Sequence, residues 1–514
     1  MRSAWWLVAL FALAGCVSPP VPSNRPQPAP GSGSETASPA EIDRLEQQIE
    51  QGRQLMQYRE FAQADALFRE VFAAEGFAAL PAQSRHDALQ RGGVTALQMR
   101  DPQRGLALLT RACDMIEGDS LDWAMRVRAA NAMDDAHEAV AALGVLAKRW
   151  PETLPRLEPY NELDYAMDAL DTVGSETDRY TILSALFTVH LSEDHVGASN
   201  WWRDLALLRL ARRDHSGAMG ALSRVTDAYV AIGVEVDRRF DPLRYLIAGW
   251  PGVPEVARRA IDAASKRALA NPNKVEPMTR LASLLKNSLR YHEALQVSDA
   301  VIERQEAAGS GIYTDYDREY VWLLDKRADT LFGLGRWDAA IIQEQAATNL
   351  PEQGGVNVSQ VINLADMYAR AGKPAESLAA LQRLEPGSAS GYGDMQAQGV
   401  RVLAAAQLHD PAAIDEALRF LRQHSDEAPG TLQEALLAAG RDAEGARLLI
   451  SRLEEPKRRY SALLAVQQYA DTVLTPWDQE QERRWHALVS RRDVQASIAR
   501  VGRVGRYPLE RRNY

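Results

Sequence analysis

From Ala40 onward, apolar side chains recur three and four positions apart almost without a break, and no stretch alternates apolar with polar residues in the β-branched manner of a strand. The pattern predicts helix after helix. Residues 17–40 differ: seven Pro, two Gly and five Ser with almost no large apolar residue, so this stretch has too little surface to bury and reads as a tether. Ahead of it, one cation at Arg2 and an apolar run from Ala4 to Leu13 have the length of a signal-peptide core. That run is too short to span a bilayer as a helix.

Within the helical region small residues recur in pairs twelve positions apart. Gly52 pairs with Ala64, Gly93 with Gly105, Ala206 with Ala218, Ala282 with Ala294, Ala328 with Ala340, Ala365 with Ser377, and Ala405 with Ala417, while Val127 with Ala139 breaks the rule. Two antiparallel helices approach closely only where both present small side chains, so each pair marks a hairpin. Large residues flank the pairs: Leu55, Leu285, Leu331 and Tyr368 three places after the first, and Phe68, Leu109, Leu143, Leu222, Leu381 and Leu421 four places after the second. Pro151, Pro272, Pro351 and Pro386 lie where second helices end.

This frame resembles the tetratricopeptide repeat (TPR). The second small positions are separated by 41, 34, 79, 76, 46, 37 and 40 residues, so the two large gaps each conceal a unit. Ala260, with Pro272 closing its helix, supplies one; residues 160–200 show amphipathic helix without a clean frame; and 430–456 reads as a shortened unit. The resemblance implies an all-α fold, a TPR-like α-solenoid of about ten hairpins over residues 41–456, with a helical cap and Arg-rich tail over 457–514. It also implies a groove lined by first helices, giving as partner-binding candidates Lys286, Asn287, Trp322, Asp325, Asp329, Phe332, Ile362, Asp366 and Arg370. The Lys and Asn pattern that grips a terminal carboxylate in some members is not matched, because Thr279 and Ser283 stand where it is needed.

Composition agrees with helix: 81 of 514 residues are Ala, the strongest helix former. With 46% hydrophobic and 25% charged residues, wholesale disorder and a polytopic membrane protein are both excluded. The net charge of −10 argues against nucleic acid as a partner. That charge is uneven. Residues 483–514 carry nine Arg against Asp493 and Glu510, a basic tail that reads either as a contact for anionic lipid or as a segment docked on the acidic body.

Leu13-Ala14-Gly15-Cys16 resembles the lipobox of bacterial lipoproteins. The resemblance implies a signal peptide over 1–15, lipid on Cys16, a linker over 16–40 and, since Val17 is not Asp, an outer-membrane anchor facing the periplasm. Cys113 is then the only thiol left, set in an apolar helical stretch as a small hydrophobe.

The chemistry-bearing motifs are missing from the sequence: no His-Glu-x-x-His, no Gly-x-Ser-x-Gly, no phosphate-binding loop and no Cys-x-x-Cys. His190 and His195, five apart, diverge on a helix, and in Asp315-Tyr-Asp-Arg-Glu-Tyr320 a Tyr stands where a calcium loop needs Gly. The expectation is a lipid-anchored scaffold for protein partners of the bacterial envelope, the cell-wall or outer-membrane assembly machinery, with no cofactor, no metal and no chemistry of its own. The alternative is an enzyme or enzyme subunit with its site in an irregular segment, 229–256 or 305–322.

Overall fold

The computed structural model describes residues 37–511 except 116–117, 192–194, 196, 248–249, 310, 353–354 and 386. The signal, Cys16, nearly all of the linker and Pro386 lie outside the described residues. The chain divides into two compact units, one up to Val196 and one from Gly197. Both are all-α and TPR-like; among the described residues the only β pairing is three isolated bridges.

Every one of the eight spaced pairs is buried, Val127 and Ala139 included. Their spacing works because each pair brackets a turn of one fixed design. Seven residues after the first small position, a single residue adopts a left-handed conformation: Arg59, Arg100 and Asp134 in the first unit, and Arg213, Leu289, Gly335 and Gly372 in the second. His409 and Gly440 mark two more turns of this kind. At each of the nine, the next residue donates its N–H to the carbonyl five residues back, as in Glu60 to Leu55 at 2.9 Å, Arg290 to Leu285 at 2.9 Å and Arg441 to Leu436 at 2.8 Å. This closure satisfies carbonyls that a helix end otherwise leaves bare. Where the residue after the turn is Asp, its side chain caps the second helix: Asp135 accepts from Glu138 N–H and Asp214 from Gly217 N–H.

The turns also correct the register in one unit. Counting back from His409 puts Val402 and Ile414, not Ala405 and Ala417, at the equivalent positions. Both alanines are buried all the same, one helical turn further along. In the shortened unit the pair is Gln433 and Gly445, with Gln433 Nε2 donating to the Gly445 carbonyl at 2.9 Å.

The helices cross tightly at these points. A Cβ on Gly93 would lie 3.2 Å from the Gly105 carbonyl oxygen, and one on Gly52 would lie 2.7 Å from the Phe68 ring. Large residues fill the spaces between, as expected: Phe68, Leu109, Leu143, Leu222, Leu331, Leu381 and Leu421 are all fully buried or nearly so.

The frameless region of the first unit holds helices Glu162–Val173 and Glu176–Thr188, both packed on Ala136–Arg149. They are joined without a left-handed turn, through a capping box in which Ser175 and Asp178 hold each other's backbone N–H. In the second unit the concealed helix is Val253–Ala270, whose inward residues are Val256, Ala257, Ile261, Ala264 and Ala268, with Ala260 half-buried beside them. After the last hairpin the chain of the second unit turns back on itself. Helix Arg459–Ala465 packs on Ala228–Val236, and the final stretch bridges Gly502 to Asp237. This unit is therefore closed, its end resting on its beginning.

Candidate functional site

Residues four apart share a helix face. Asp325 and Asp329 accordingly stand together on helix Tyr316–Gly333, and Asp366 and Arg370 on helix Ser359–Arg370. With Lys286 at the end of helix Glu276–Asn287 they form one array of charges on the inner face of the second unit. Lys326 Nζ lies 2.7 Å from Asp325 and 3.3 Å from Asp329; Lys286 Nζ is 4.0 Å from Asp329; and Asn363 donates to Asp325 at 2.7 Å.

The chain's own C-terminal region completes the array. Thr475 caps helix Pro476–Val489 by accepting the Asp478 N–H, and this sets Asp478 against Arg370, with both nitrogens of the fork within 3.1 Å of its carboxylate. The guanidinium also sits 4.5 Å over the Phe332 ring and 3.7 Å from Asp366. Lys286 reaches Glu510 at 3.4 Å, while the Glu510 N–H donates to the Asn287 carbonyl at 2.9 Å.

Seven of the nine groove candidates therefore meet in one place. The other two go elsewhere: Trp322, half-buried, packs against the cluster of Val275, Tyr313 and Tyr320 between its hairpin and the preceding one, and Ile362 is buried with Ala365, Leu381 and Val400. Phe332 is itself 95% buried, so it shapes the floor and presents almost no surface.

Titration behaviour follows from crowding. Burial acts to raise Asp329, yet Lys326 and Lys286 hold its carboxyl below the ordinary range. Burial raises Asp366, with Asp478 and Asp329 adding to it against Arg370. Glu434, on helix Pro429–Ala438, keeps an exposed side chain, yet crowding by the surrounding chain and the charge of Asp366 push it up to about 7, although Arg511 and Arg370 oppose it. Behind the array, Glu344 is wholly buried with no hydrogen-bond donor on either oxygen, and desolvation and the charges of Asp325 and Asp329 drive it far up, into the protonated form. As an acid it can hydrogen-bond to Asp325.

Lys326, Glu344, Asn363, Glu434, Asp478 and Glu510 were not singled out from the sequence. Two carried a signal: Thr475-Pro-Trp-Asp478 is a helix-start signature, and Glu510 is one of only two acids in the basic tail.

Described residues of both irregular segments make contacts that hold the fold together. Asp315 accepts from the N–H groups of Val275 and Glu276, tying two hairpins together where the sequence hinted at a calcium loop. In 229–256, Asp241 pairs with Arg503 at 2.6 Å and Arg238 donates to the Ala499 carbonyl. Among the described tail arginines, Arg500, Arg503, Arg506 and Arg511 pair with Glu454, Asp241, Asp471 and Glu482, so the tail docks on its own unit, while Arg483, Arg484 and Arg491 pair with neighbours in sequence.

Elsewhere His195 pairs with Asp164 at 2.9 Å, His190 contacts the Thr188 carbonyl, and burial pushes the Cys113 thiol up. Among the described residues no three His, Cys, Asp or Glu side chains are grouped to hold a metal. No described helix is long and apolar enough to cross a membrane.

No family model matches this chain, and no curated protein does. Among solved structures, it is similar to yeast Tom70 at 10% identity, with 89% of this chain and 99% of that one covered and a TM-score of 0.31. The TPR domain of P58(IPK) aligns at 16% identity over 80% and 99% with a TM-score of 0.20, and Naa15/Naa10 bound to HypK-THB at 13% over 87% and 68% with 0.25. At such scores these likenesses add nothing to the hairpin geometry, which alone defines the class: a TPR-like helical-repeat protein.

Proposed function

We propose that this chain is a scaffold that binds protein partners of the bacterial envelope while anchored by lipid on Cys16 to the outer membrane, on its periplasmic side. Stacks of hairpins act by presenting a surface, and the observation that carries the proposal is the inner array of the second unit. Its charged groups sit on first helices, as in the repeat family, and they pair acid with base. No side chain in the array is set as a nucleophile beside a base. Support for the address comes from the Leu13-Ala14-Gly15-Cys16 sequence and the Pro-rich stretch after it, which at about 3.1 Å per residue gives a reach of roughly 75 Å.

The test is site-specific photocrosslinking in cells. The reactive residue belongs at Glu434, exposed on the inner face, with Ile342, exposed by 67% on a second helix, as control. One envelope protein captured at Glu434 and not at Ile342 is expected; identical capture at both positions overturns the groove assignment. Cys16→Ala should leave the membrane fraction, and its retention there would remove the anchor from the proposal.

A further inference from the structure

The last described residues are held as a bound peptide is held. From Gly502 to Arg511 the chain forms no helix. Its main chain pairs with residues 468–470: Gln468 N–H donates to the Gly505 carbonyl at 3.0 Å, Tyr507 N–H to the Gln468 carbonyl at 2.9 Å, and Ala470 N–H to the Leu509 carbonyl at 3.1 Å. Side chains alternate as on a strand, with Tyr507 and Leu509 buried while Val504, Arg506 and Pro508 face solvent. The end is fixed by charge and by main chain. The Glu510 carboxylate lies by Lys286 at 3.4 Å, its N–H donates to the Asn287 carbonyl, and its own carbonyl accepts from Tyr229 Oη at 2.6 Å. Arg511 pairs with Glu482, donates to the Ala465 carbonyl at 3.0 Å and lies over the Trp485 ring at 5.2 Å.

Main-chain bonds to an exposed edge, with pockets for every second side chain, are the means by which folded domains take up extended peptides. The helix before the arm, Arg492–Val501, ends where the arm begins, so the arm can leave without any helix unwinding.

We propose that residues 503–511 are a resident ligand of the inner groove, and that the protein partner displaces them with an extended segment of the same chemistry: an aromatic residue, an aliphatic residue two places on, then a carboxylate followed by a guanidinium. This rests on the scaffold proposal above and specifies the groove's ligand. Complementarity supports the choice. With the arm gone, Lys286 keeps only Asp329, the Asn287 carbonyl and the main-chain groups of Gln468 and Ala470 lose their arm partners, and Glu482 loses its Arg511 contact.

The experiment uses the full chain and a fluorescent peptide of the sequence from Arg503 to Arg511. The double variant Leu509→Ala, Glu510→Lys takes away the arm's buried anchor and its partner for Lys286. The peptide is expected to bind this variant at least about tenfold more tightly than the unaltered chain. The same peptide carrying Glu510→Lys is expected to lose that advantage. Equal binding to both chains, or to neither, overturns the proposal. In case the variant loses its helices, amide exchange on the unaltered chain gives an independent reading. Tyr507 and Glu510 amides exchanging about a hundredfold faster than the core of helix Tyr316–Gly333 support a detachable arm, whereas equal protection overturns it. Crosslinking at Glu434 with no peptide binding would leave a scaffold whose partner uses another surface.

Discussion

Gly93 tests the foundation of the fold, because two physical effects act on it in opposite directions. Replacing a mid-helix Gly by Ala gains about 1 kcal/mol of helix propensity. At Gly93 the new Cβ would lie 2.8 Å from Leu109 Cγ and 3.2 Å from the Gly105 carbonyl oxygen. Leu109 is wholly buried and the carbonyl belongs to helix Pro102–Met115, so neither yields without parting the two helices. Overpacking of that kind costs about 1–3 kcal/mol. The steric effect wins, and Gly93→Ala is expected to destabilise the first unit by about 1 kcal/mol. Gly144 lies in the same unit, inside helix Ala136–Arg149, with nothing within 4 Å of its would-be Cβ, so Gly144→Ala should stabilise by about 1 kcal/mol. Urea denaturation followed by far-ultraviolet circular dichroism reads both. With a slope of about 2 kcal/mol per molar, the two midpoints should separate by about 1 M, on either side of the unaltered protein. If Gly93→Ala proves as stable as the parent, close backbone contact is not what the small pairs provide.

Three further expectations concern single side chains. The Glu344 carboxyl is raised in the folded state, so its contribution is whole near pH 4.5 and drains away as pH climbs toward 10; Glu344→Gln, which cannot ionise, should flatten that decline and exceed the parent's stability at alkaline pH, and parallel curves would refute it. Burial alone would lower His86, but the hydrogen bond and charge of Asp122 at 2.8 Å raise it to about 9, so the first unit should be fully stabilised below about pH 6.5 and lose this as pH passes 9. His86→Gln should abolish that dependence, and an imidazole titrating near its usual value by NMR would contradict it. Leu289 holds a left-handed conformation at φ 63°, which costs a non-Gly residue about 1–2 kcal/mol. Leu289→Gly is therefore expected to raise the thermal midpoint, and a lowered midpoint would refute the strain.

The hairpins were legible in the sequence because close packing leaves a mark: a small residue at most crossings, Val127, Val402, Ile414 and Gln433 excepted, and a large one beside it. The register in the eighth pair was not. Alanines are abundant, and Ala405 and Ala417 look as suitable as any; the turn His409-Asp410-Pro411, with its cap and helix-starting Pro, fixes the frame three residues earlier. That Lys286, Asp329, Asp366 and Arg370 stand together follows from the same frame, which says which side of a first helix turns away from its partner. Asp478 and Glu510 escaped because they reach the array from 108 and about 220 residues beyond Arg370 and Lys286, a meeting that no local periodicity encodes. Ile362 is buried and Trp322 half-buried because an apolar residue next to the groove line packs inward where a neighbouring hairpin offers it cover.

Closure of the second unit has a consequence for how the protein is made. Each hairpin joins neighbours in sequence and can form as it leaves the ribosome, but the Tyr229 hydroxyl waits for a carbonyl 281 residues later. Joining such distant points adds entropy cost only logarithmically with length, so the final step is late more than it is costly. A nascent chain that has emerged only as far as Val501 would carry every described helix of this unit and still present an unsealed edge, the moment at which quality control has most to seize.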